Sequence, residues 1–151
     1  MDRERTLEEG TFELVQELTL NSSREVVFGA LLDPNSWWRA DAGAPGRVVL
    51  EARVGGRFYH EEGDDGWLWG TVSLIRRPER LRLTGPLAMD TPVSSVWEYE
   101  LEEREGGGTV LRLIHRCVGL MNPKWRAAHE RGWEGLLERL RDHVERRAGR
   151  E

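Results

Sequence analysis

The sequence has little of several residue types that mark large classes of protein. Its single cysteine, Cys117, excludes an intramolecular disulfide and argues against a metal cluster held by thiolates. No apolar run approaches the roughly 18 residues that a membrane-spanning helix needs. The charged residues 1–5 also lack the apolar core of a secretory signal. We therefore expect a cytoplasmic protein with no membrane partner.

Positive charge is scarce as well. The chain has 22 lysine and arginine residues against 27 aspartate and glutamate residues, which gives a formal net charge of −5 at pH 7. Proteins that bind nucleic acid through its phosphates usually carry an excess of basic residues. The charge balance therefore predicts that this protein has no nucleic-acid partner.

Tyrosine and phenylalanine are few, whereas tryptophan is abundant. The 151 residues, about the length of one domain, include seven tryptophans against two tyrosines and three phenylalanines. Large aromatic side chains contribute heavily to cores and to binding sites, so the positions of the tryptophans bear on both. They are Trp37, Trp38, Trp67, Trp69, Trp97, Trp125 and Trp133.

Alternation of apolar and polar residues predicts a series of strands. The first runs from Thr11 to Leu20, and several shorter segments of the same kind follow between residues 47 and 119. Glycine-rich turns separate these segments. Strands that follow one another so closely must pair antiparallel, because a parallel pair needs a crossover of about a dozen residues or more.

Helical signals occur at two places in the chain. Ser22 and Glu25 have the spacing of a capping box, and the helix that they open ends at Asp33 because Pro34 follows. One further helical turn is expected at residues 35–38. After Pro123, apolar residues recur every three or four positions over about six turns, which predicts a long amphipathic helix.

The order of these elements indicates an α+β protein with a helix-grip fold. We expect a curved antiparallel sheet of about six to seven strands wrapped round the long C-terminal helix, with two short helices after the first strand. An antiparallel sheet needs cover on one face only, and the long helix is the element apolar enough to supply it. Residues 1–10 are expected to form a disordered leader, and residues 11–147 a single domain.

Six segments of the sequence together resemble one known family. They are Phe28-x-Ala30-Leu31-x-Asp33-Pro34-x-x-x-Trp38, Arg53-Val54-Gly55-Gly56-Arg57-Phe58, Gly70-Thr71-Val72, Gly108-Thr109, His115-Arg116 and Gly132-Trp133-x-x-Leu136-Leu137-x-x-Leu140. The set resembles the domain homologous to the activator of heat shock protein 90 ATPase, a member of the START-like (SRPBCC, birch-pollen-allergen-like) superfamily. The resemblance covers residues 11–146 and implies the same helix-grip fold.

The family contains a co-chaperone domain, carriers of small ligands and proteins that sequester antibiotics. The resemblance therefore implies two classes of function, which are small-molecule binding and modulation of a chaperone ATPase. The eukaryotic co-chaperone carries a separate N-terminal domain that makes much of the chaperone contact. Because ten residues precede the first predicted strand, we expect no such domain in this chain.

The candidate site is a cavity between the sheet and the long helix. Such a sheet cannot touch one helix everywhere, and aromatic-lined cavities of this kind are common ligand sites. The expected lining is Trp69, Trp97, Tyr99, Leu113, His115, His129 and Trp133. Each tryptophan has core packing as its alternative role, and Trp38 and Trp133 are expected to pack helix ends against the sheet. The two histidines either are buried and hydrogen-bonded to neighbours or orient a ligand.

No constellation typical of catalysis is present. Most carboxylates lie on outward strand faces or in turns, and the four histidines lack the spacing of a zinc site. Cys117 has no cationic neighbour on its own strand face, so we expect it to be a small core residue. We therefore expect no catalytic residue, no metal and no cofactor.

These observations predict non-catalytic binding of a hydrophobic or aromatic small molecule. Two alternatives stay open: co-chaperone-like modulation of a heat shock protein 90 ATPase, and an enzyme of the cyclase or dehydratase type on the same fold. The arginines and glutamates that alternate on the outer sheet face predict a cross-strand charge lattice. Such a surface allows a monomer or a homodimer.

Overall fold

Seven antiparallel strands form one open sheet, and a long C-terminal helix packs on one of its faces. The computed structural model describes residues 6–39 and 43–148, so half of the predicted leader, residues 1–5, lies outside the described residues. The strands are β1 (Glu8–Leu20), β2 (Arg47–Leu50), β3 (Arg57–Glu62), β4 (Asp65–Arg76), β5 (Arg80–Thr84), β6 (Val93–Glu103) and β7 (Thr109–Met121). The helices are α1 (Arg24–Leu31) and α2 (Trp125–Ala148), with a 3₁₀ turn at Pro34–Ser36.

The sheet has the order β1-β7-β6-β5-β4-β3-β2, so the first strand pairs with the last. This order confirms the α+β class, the antiparallel sheet and the long terminal helix that the periodicity predicts. The core lies between the sheet and α2, where Trp133, Leu137, Leu140 and Val144 pack against inward side chains of the strands. No helix among the described residues is long and apolar enough to cross a membrane.

The outer face of the sheet carries the predicted lattice of charges. Arg80 and Arg82 both donate to the carboxylate of Glu98 across neighbouring strands, at distances between 2.8 and 3.1 Å. On the next strands, Arg112 pairs with Glu17 at 2.7 Å. These ion pairs cover the face that α2 leaves open, where each exposed pair contributes little stability by itself.

Several element boundaries differ from those that the sequence predicts. β1 begins at Glu8, so residues 8–10 of the expected leader lie in the sheet and pair with β7. The N-cap of α1 is Ser23, whose hydroxyl accepts a hydrogen bond from the backbone of Val26, and not Ser22 as the capping-box pattern predicts. Asn21-Ser22-Ser23 offers two hydroxyls in sequence, and spacing alone does not decide between them.

β2 is shorter than the alternation at residues 47–54 predicts, because Glu51 folds the chain back. Its carboxylate accepts hydrogen bonds from the backbone N–H and the guanidinium of Arg57, at 2.8 to 3.1 Å. These bonds, with the guanidinium, hold the pKa of Glu51 at about 2. The tight turn that results carries Gly55 at a φ of 82°, in the left-handed region that favours glycine.

β4 contains two irregularities that change which residues face the core. Phe58 pairs with Gly70 and Tyr59 with Leu68, so Trp69 is an extra residue in the ladder. A second register shift follows between Val72 and Leu74. Both Trp69 and Val72 are buried for this reason, although strict alternation puts them on opposite faces.

Candidate functional site

An apolar pocket of about 410 Å³ lies along α2, beside the segment after the 3₁₀ turn and the loop after β5. We call it the α2 pocket. Its lining consists of Trp38, Trp69, Leu87, Ala88, Ala128, His129, Gly132, Trp133, Leu136 and Arg139. Three of these side chains are indoles, and the titratable ones are His129 and Arg139.

One face of α2 forms the longest wall of the pocket. The lining residues of this helix lie between Ala128 and Arg139 and recur every three or four positions, some of them as adjacent pairs. This spacing places them on one side of an α-helix. The eleven steps from Ala128 to Arg139, at a rise of 1.5 Å each, give this wall a length of about 16 Å. Ala128 and Gly132 are small, so the space beside them stays open.

Trp38 forms the opposite wall, and its neighbour Trp37 fixes it there. Trp37 is buried, and its indole Nε1 donates to the carbonyl of Ala30 in α1 at 2.7 Å. The backbone N–H of Trp37 donates to Pro34 O at 3.1 Å, which closes the 3₁₀ turn, and the backbone N–H of Trp38 donates to the same oxygen at 2.8 Å. The Trp38 ring then lies 5.6 Å from the ring of Trp69 and 6.0 Å from that of Trp133.

The loop after β5 supplies the third wall because two glycines let it approach β4. A Cβ on Gly85 would lie 2.5 Å from the Cα of Gly70, and Gly85 has a φ of 152°. The chain then turns through Leu87, which has a φ of 56° and donates its backbone N–H to Trp69 O at 2.8 Å. This turn places Leu87 and Ala88 at the pocket.

A buried chain of hydrogen bonds on the sheet side of the pocket fixes the position of Trp133. The indole Nε1 of Trp133 donates to His115 Nδ1 at 3.0 Å. A neutral ring then carries its hydrogen on Nε2, which donates to Ser95 Oγ at 2.9 Å, so the partners assign the tautomer. Burial, with a smaller contribution from nearby His129, lowers the pKa of His115 to about 3. His115 is therefore a neutral positioning residue at physiological pH.

His129 lies in the lining and has its own fixed tautomer. Its Nδ1 donates to the carbonyl of Trp125 at 2.8 Å, one turn earlier in α2. Its ring centroid lies 5.3 Å from that of His115 and 5.5 Å from that of Phe12. A ring that donates through Nδ1 leaves Nε2 as the acceptor when it is neutral.

The seven residues that the sequence proposes as a cavity lining separate into two groups. Trp69, His129 and Trp133 line the α2 pocket. Leu113 and His115 are fully buried, and Trp97 and Tyr99 border a void of only about 10 Å³ beneath Trp38. These four fill the interior between the sheet and the pocket floor.

The sequence pattern does not indicate several of the lining residues. It predicts that Trp38 packs a helix end against the sheet, and it gives no reason to place Leu87 or Arg139 at a pocket. Gly132 and Gly70 were the available signals, since a glycine inside a helix or a strand often marks open space or a close approach of backbone. Leu87 had no such signal, because nothing local predicts a leucine in the left-handed region.

In the described part of the chain, neither a metal-binding cluster nor a reactive cysteine accompanies the α2 pocket. No group of three or more histidine, cysteine, aspartate or glutamate side chains among residues 6–39 and 43–148 could hold a metal ion. Cys117 is buried, and its Sγ lies 3.8 Å from Met89 Sδ. Burial raises the pKa of this thiol, which disfavours the reactive thiolate.

Solved structures share the fold at low sequence identity. A protein of unknown function from Staphylococcus aureus superposes with a TM-score of 0.74 at 18% identity, covering 94% of this chain and 98% of that one. CalU16 from Micromonospora echinospora gives 0.66 at 20% identity, covering 95% and 89%. The Aha1 dimer from Colwellia psychrerythraea gives 0.68 at 18% identity, covering 89% and 96%. These likenesses show the fold alone.

Sequence comparison defines the family. No curated protein matches the chain at a significant level. The family model described as Activator of Hsp90 ATPase homolog 1-like protein matches residues 21–145, which is most of the chain. The same span contains α1, the strands β2 to β7 and the pocket-lining part of α2. The chain therefore belongs to the activator of Hsp90 ATPase homolog 1-like family.

Proposed function

We propose that the protein binds a hydrophobic or aromatic small molecule, without catalysis and without a cofactor, in the α2 pocket. The observation that carries the proposal is the pocket itself, with a volume of about 410 Å³ and an apolar lining that includes Trp38, Trp69 and Trp133. Pockets for small molecules typically have volumes of about 300–1,000 Å³ and apolar, aromatic walls. The family match supports a ligand-binding role at the level of the fold.

The rigidity of the pocket walls also supports the proposal. Trp133 is held by its hydrogen bond to His115, and the position of Trp38 is fixed by the 3₁₀ turn. Side chains that are already ordered lose little conformational entropy when a ligand binds. A flat or elongated apolar ligand would therefore gain most of the free energy of its own dehydration, about 25 cal/mol per Å² of buried apolar area.

The proposal is tested by titration with N-phenylnaphthylamine (NPN), a neutral probe that fluoresces in apolar surroundings. We expect saturable binding to the wild-type protein, with energy transfer from tryptophan. The Gly132→Leu variant should bind the probe at least about 10-fold more weakly. Gly132 borders the pocket, and a Cβ added there meets no atom within 4 Å, so the new side chain occupies space without disturbing the fold.

Gly29→Leu in α1 is the matched control. Gly29 is also an exposed helical glycine whose added Cβ meets no atom within 4 Å, but it lies outside the α2 pocket. This variant should bind NPN like the wild type. If wild-type protein shows no saturable binding, or if both variants bind equally well, the α2 pocket is not a binding site.

A second candidate function is modulation of a heat shock protein 90 ATPase. The specific observation in its favour is the family match over residues 21–145. The test is a coupled ATPase assay with the heat shock protein 90 of the same organism. A concentration-dependent change in turnover, retained by Gly132→Leu, would support this function. An unchanged rate at excess protein would contradict it.

A further inference from the structure

We propose that the ligand of the α2 pocket is an amphipathic organic anion, whose carboxylate or related oxyanion binds Arg139. This inference rests on the proposed binding function and adds the chemical class of the ligand. Arg139 lies at one end of the pocket, and the remaining lining is apolar except for His129 near the other end. The structure thus places one cation at the end of an apolar slot about 16 Å long.

The position of the Arg139 guanidinium is fixed by backbone carbonyls. Nε donates to Trp37 O and Nη2 donates to Trp38 O, both at 3.1 Å. A guanidinium has five N–H donors, so these two bonds leave three for another acceptor. The same bonds tie Arg139 to the chain segment that carries the Trp38 wall.

Arg139 also differs in its partners from the arginines on the outer face of the sheet. Arg80, Arg82 and Arg112, for example, each form an ion pair with a glutamate. Arg139 is half-buried, and no carboxylate of the described residues lies within ion-pair distance of it. Carbonyl oxygens offer only partial charges, so within the described part of the chain no carboxylate compensates this cation at the edge of an apolar lining.

An oxyanion satisfies both requirements of this arrangement. A carboxylate or sulfonate accepts hydrogen bonds from the free N–H groups in the planar geometry that guanidinium favours, and it neutralises the charge. The apolar body of the same molecule would lie along Trp38 and Trp133. A neutral ligand of equal size would leave the cation uncompensated and would exclude water from it.

The test uses two fluorescent probes with one skeleton. Anilinonaphthalenesulfonate (ANS) carries a sulfonate that NPN lacks. Arg139→Met should weaken ANS binding about 10- to 100-fold more than it weakens NPN binding, as expected for the loss of one or two charge-assisted hydrogen bonds to the sulfonate. Arg131→Met, which removes an exposed arginine of the same helix, should change neither.

Equal effects on both probes, or no effect on either, would overturn the assignment of the anion to Arg139 while NPN binding upholds the pocket. If the wild-type protein does not bind NPN at all, the proposed function is wrong, and this inference is wrong with it. A second measurement needs no variant. Decanoate should displace NPN from wild-type protein at a lower concentration than decanol does, and the reverse order would overturn the inference.

Discussion

The buried His115 predicts a specific dependence of stability on pH. Its side chain is 0% exposed, Trp133 occupies Nδ1 as a donor, and Nε2 already carries a hydrogen. A second proton would therefore have to face the N–H of Trp133 inside the core. This explains in structural terms why burial lowers the pKa of His115 to about 3, against an ordinary value of 6.5.

The sign of the effect follows from proton binding by the two states. Below pH 6.5 the unfolded chain takes up a proton on this imidazole, and the folded protein does not until about pH 3. The unfolded state thus binds more protons, so the free energy of unfolding falls as the pH falls. With these two pKa values, His115 alone should lower the free energy of unfolding by about 2 kcal/mol between pH 7 and pH 5.

Urea denaturation at several pH values, followed by tryptophan fluorescence, measures this effect. The reference is His115→Gln, because glutamine offers one donor and one acceptor but does not titrate. Other titrating groups affect both proteins alike, so the difference between their pH dependences isolates His115. The wild type should lose about 2 kcal/mol more than the variant between pH 7 and pH 5.

Two results would refute this reasoning. One is a pH dependence that is the same for wild type and variant within about 0.5 kcal/mol, which is the precision of such a comparison. The other needs no variant and so holds even if His115→Gln does not fold. The ring resonances of His115 in the wild-type protein should not shift between pH 8 and pH 5, and a titration midpoint near the ordinary value of 6.5 would contradict the buried chain.

Three further predictions concern stability and are measured by chemical or thermal denaturation. Gly85→Ala should lower the free energy of unfolding by more than about 2 kcal/mol, because the new Cβ would lie 2.5 Å from a backbone atom of β4. Gly29→Ala should raise it by about 0.5–1 kcal/mol, and equal effects of the two variants would refute the close approach at Gly85. Glu98→Gln should cost about 1–3 kcal/mol through its two arginine partners, with the exposed Glu102→Gln near zero. Trp37→Phe should lower the free energy of unfolding by about 1–3 kcal/mol, since the buried hydrogen bond from Nε1 to Ala30 O and part of the buried indole are lost while Asp33 N–H still donates to that oxygen; a change below about 0.5 kcal/mol would contradict this.

The fold was predictable from the sequence because its signals are local and repeated. In β7, Leu111, Leu113, His115 and Cys117 alternate without interruption, and all four are buried. In α2, the apolar stripe keeps its helical spacing from Trp133 to Val144. One face of each element is thus fixed by periodicity alone, and the number and order of such elements leave few ways to bury them.

The pocket was less predictable because its walls come from positions where periodicity is broken. Trp69 is the extra residue of a bulge, so its strand parity carried no information. Trp37 and Trp38 are neighbours in a single turn, and the sequence does not show which of them is buried. Trp37 is the buried one because its indole donates to Ala30 O, and Trp38 therefore lines the pocket. Arg139 reads as one more charge on a polar helix face until Trp37 and Trp38 are placed beside it.

The same break in regularity explains where the free space lies. Over the middle of the sheet, the interior is filled by Trp97, Tyr99 and Leu113, and His115 fixes Trp133 above them. The α2 pocket lies where α2 has the small residues Ala128 and Gly132 opposite Trp38, toward the end of the sheet that the bulged β4 and the loop after β5 enclose. A ligand would therefore contact residues of the turn, the loop and the bulge more than residues of the regular, alternating strands. Chains with the same helix-grip sheet can differ in ligand for this reason, since the scaffold fixes the depth of the pocket while the turn, the loop and one arginine determine its walls and charge.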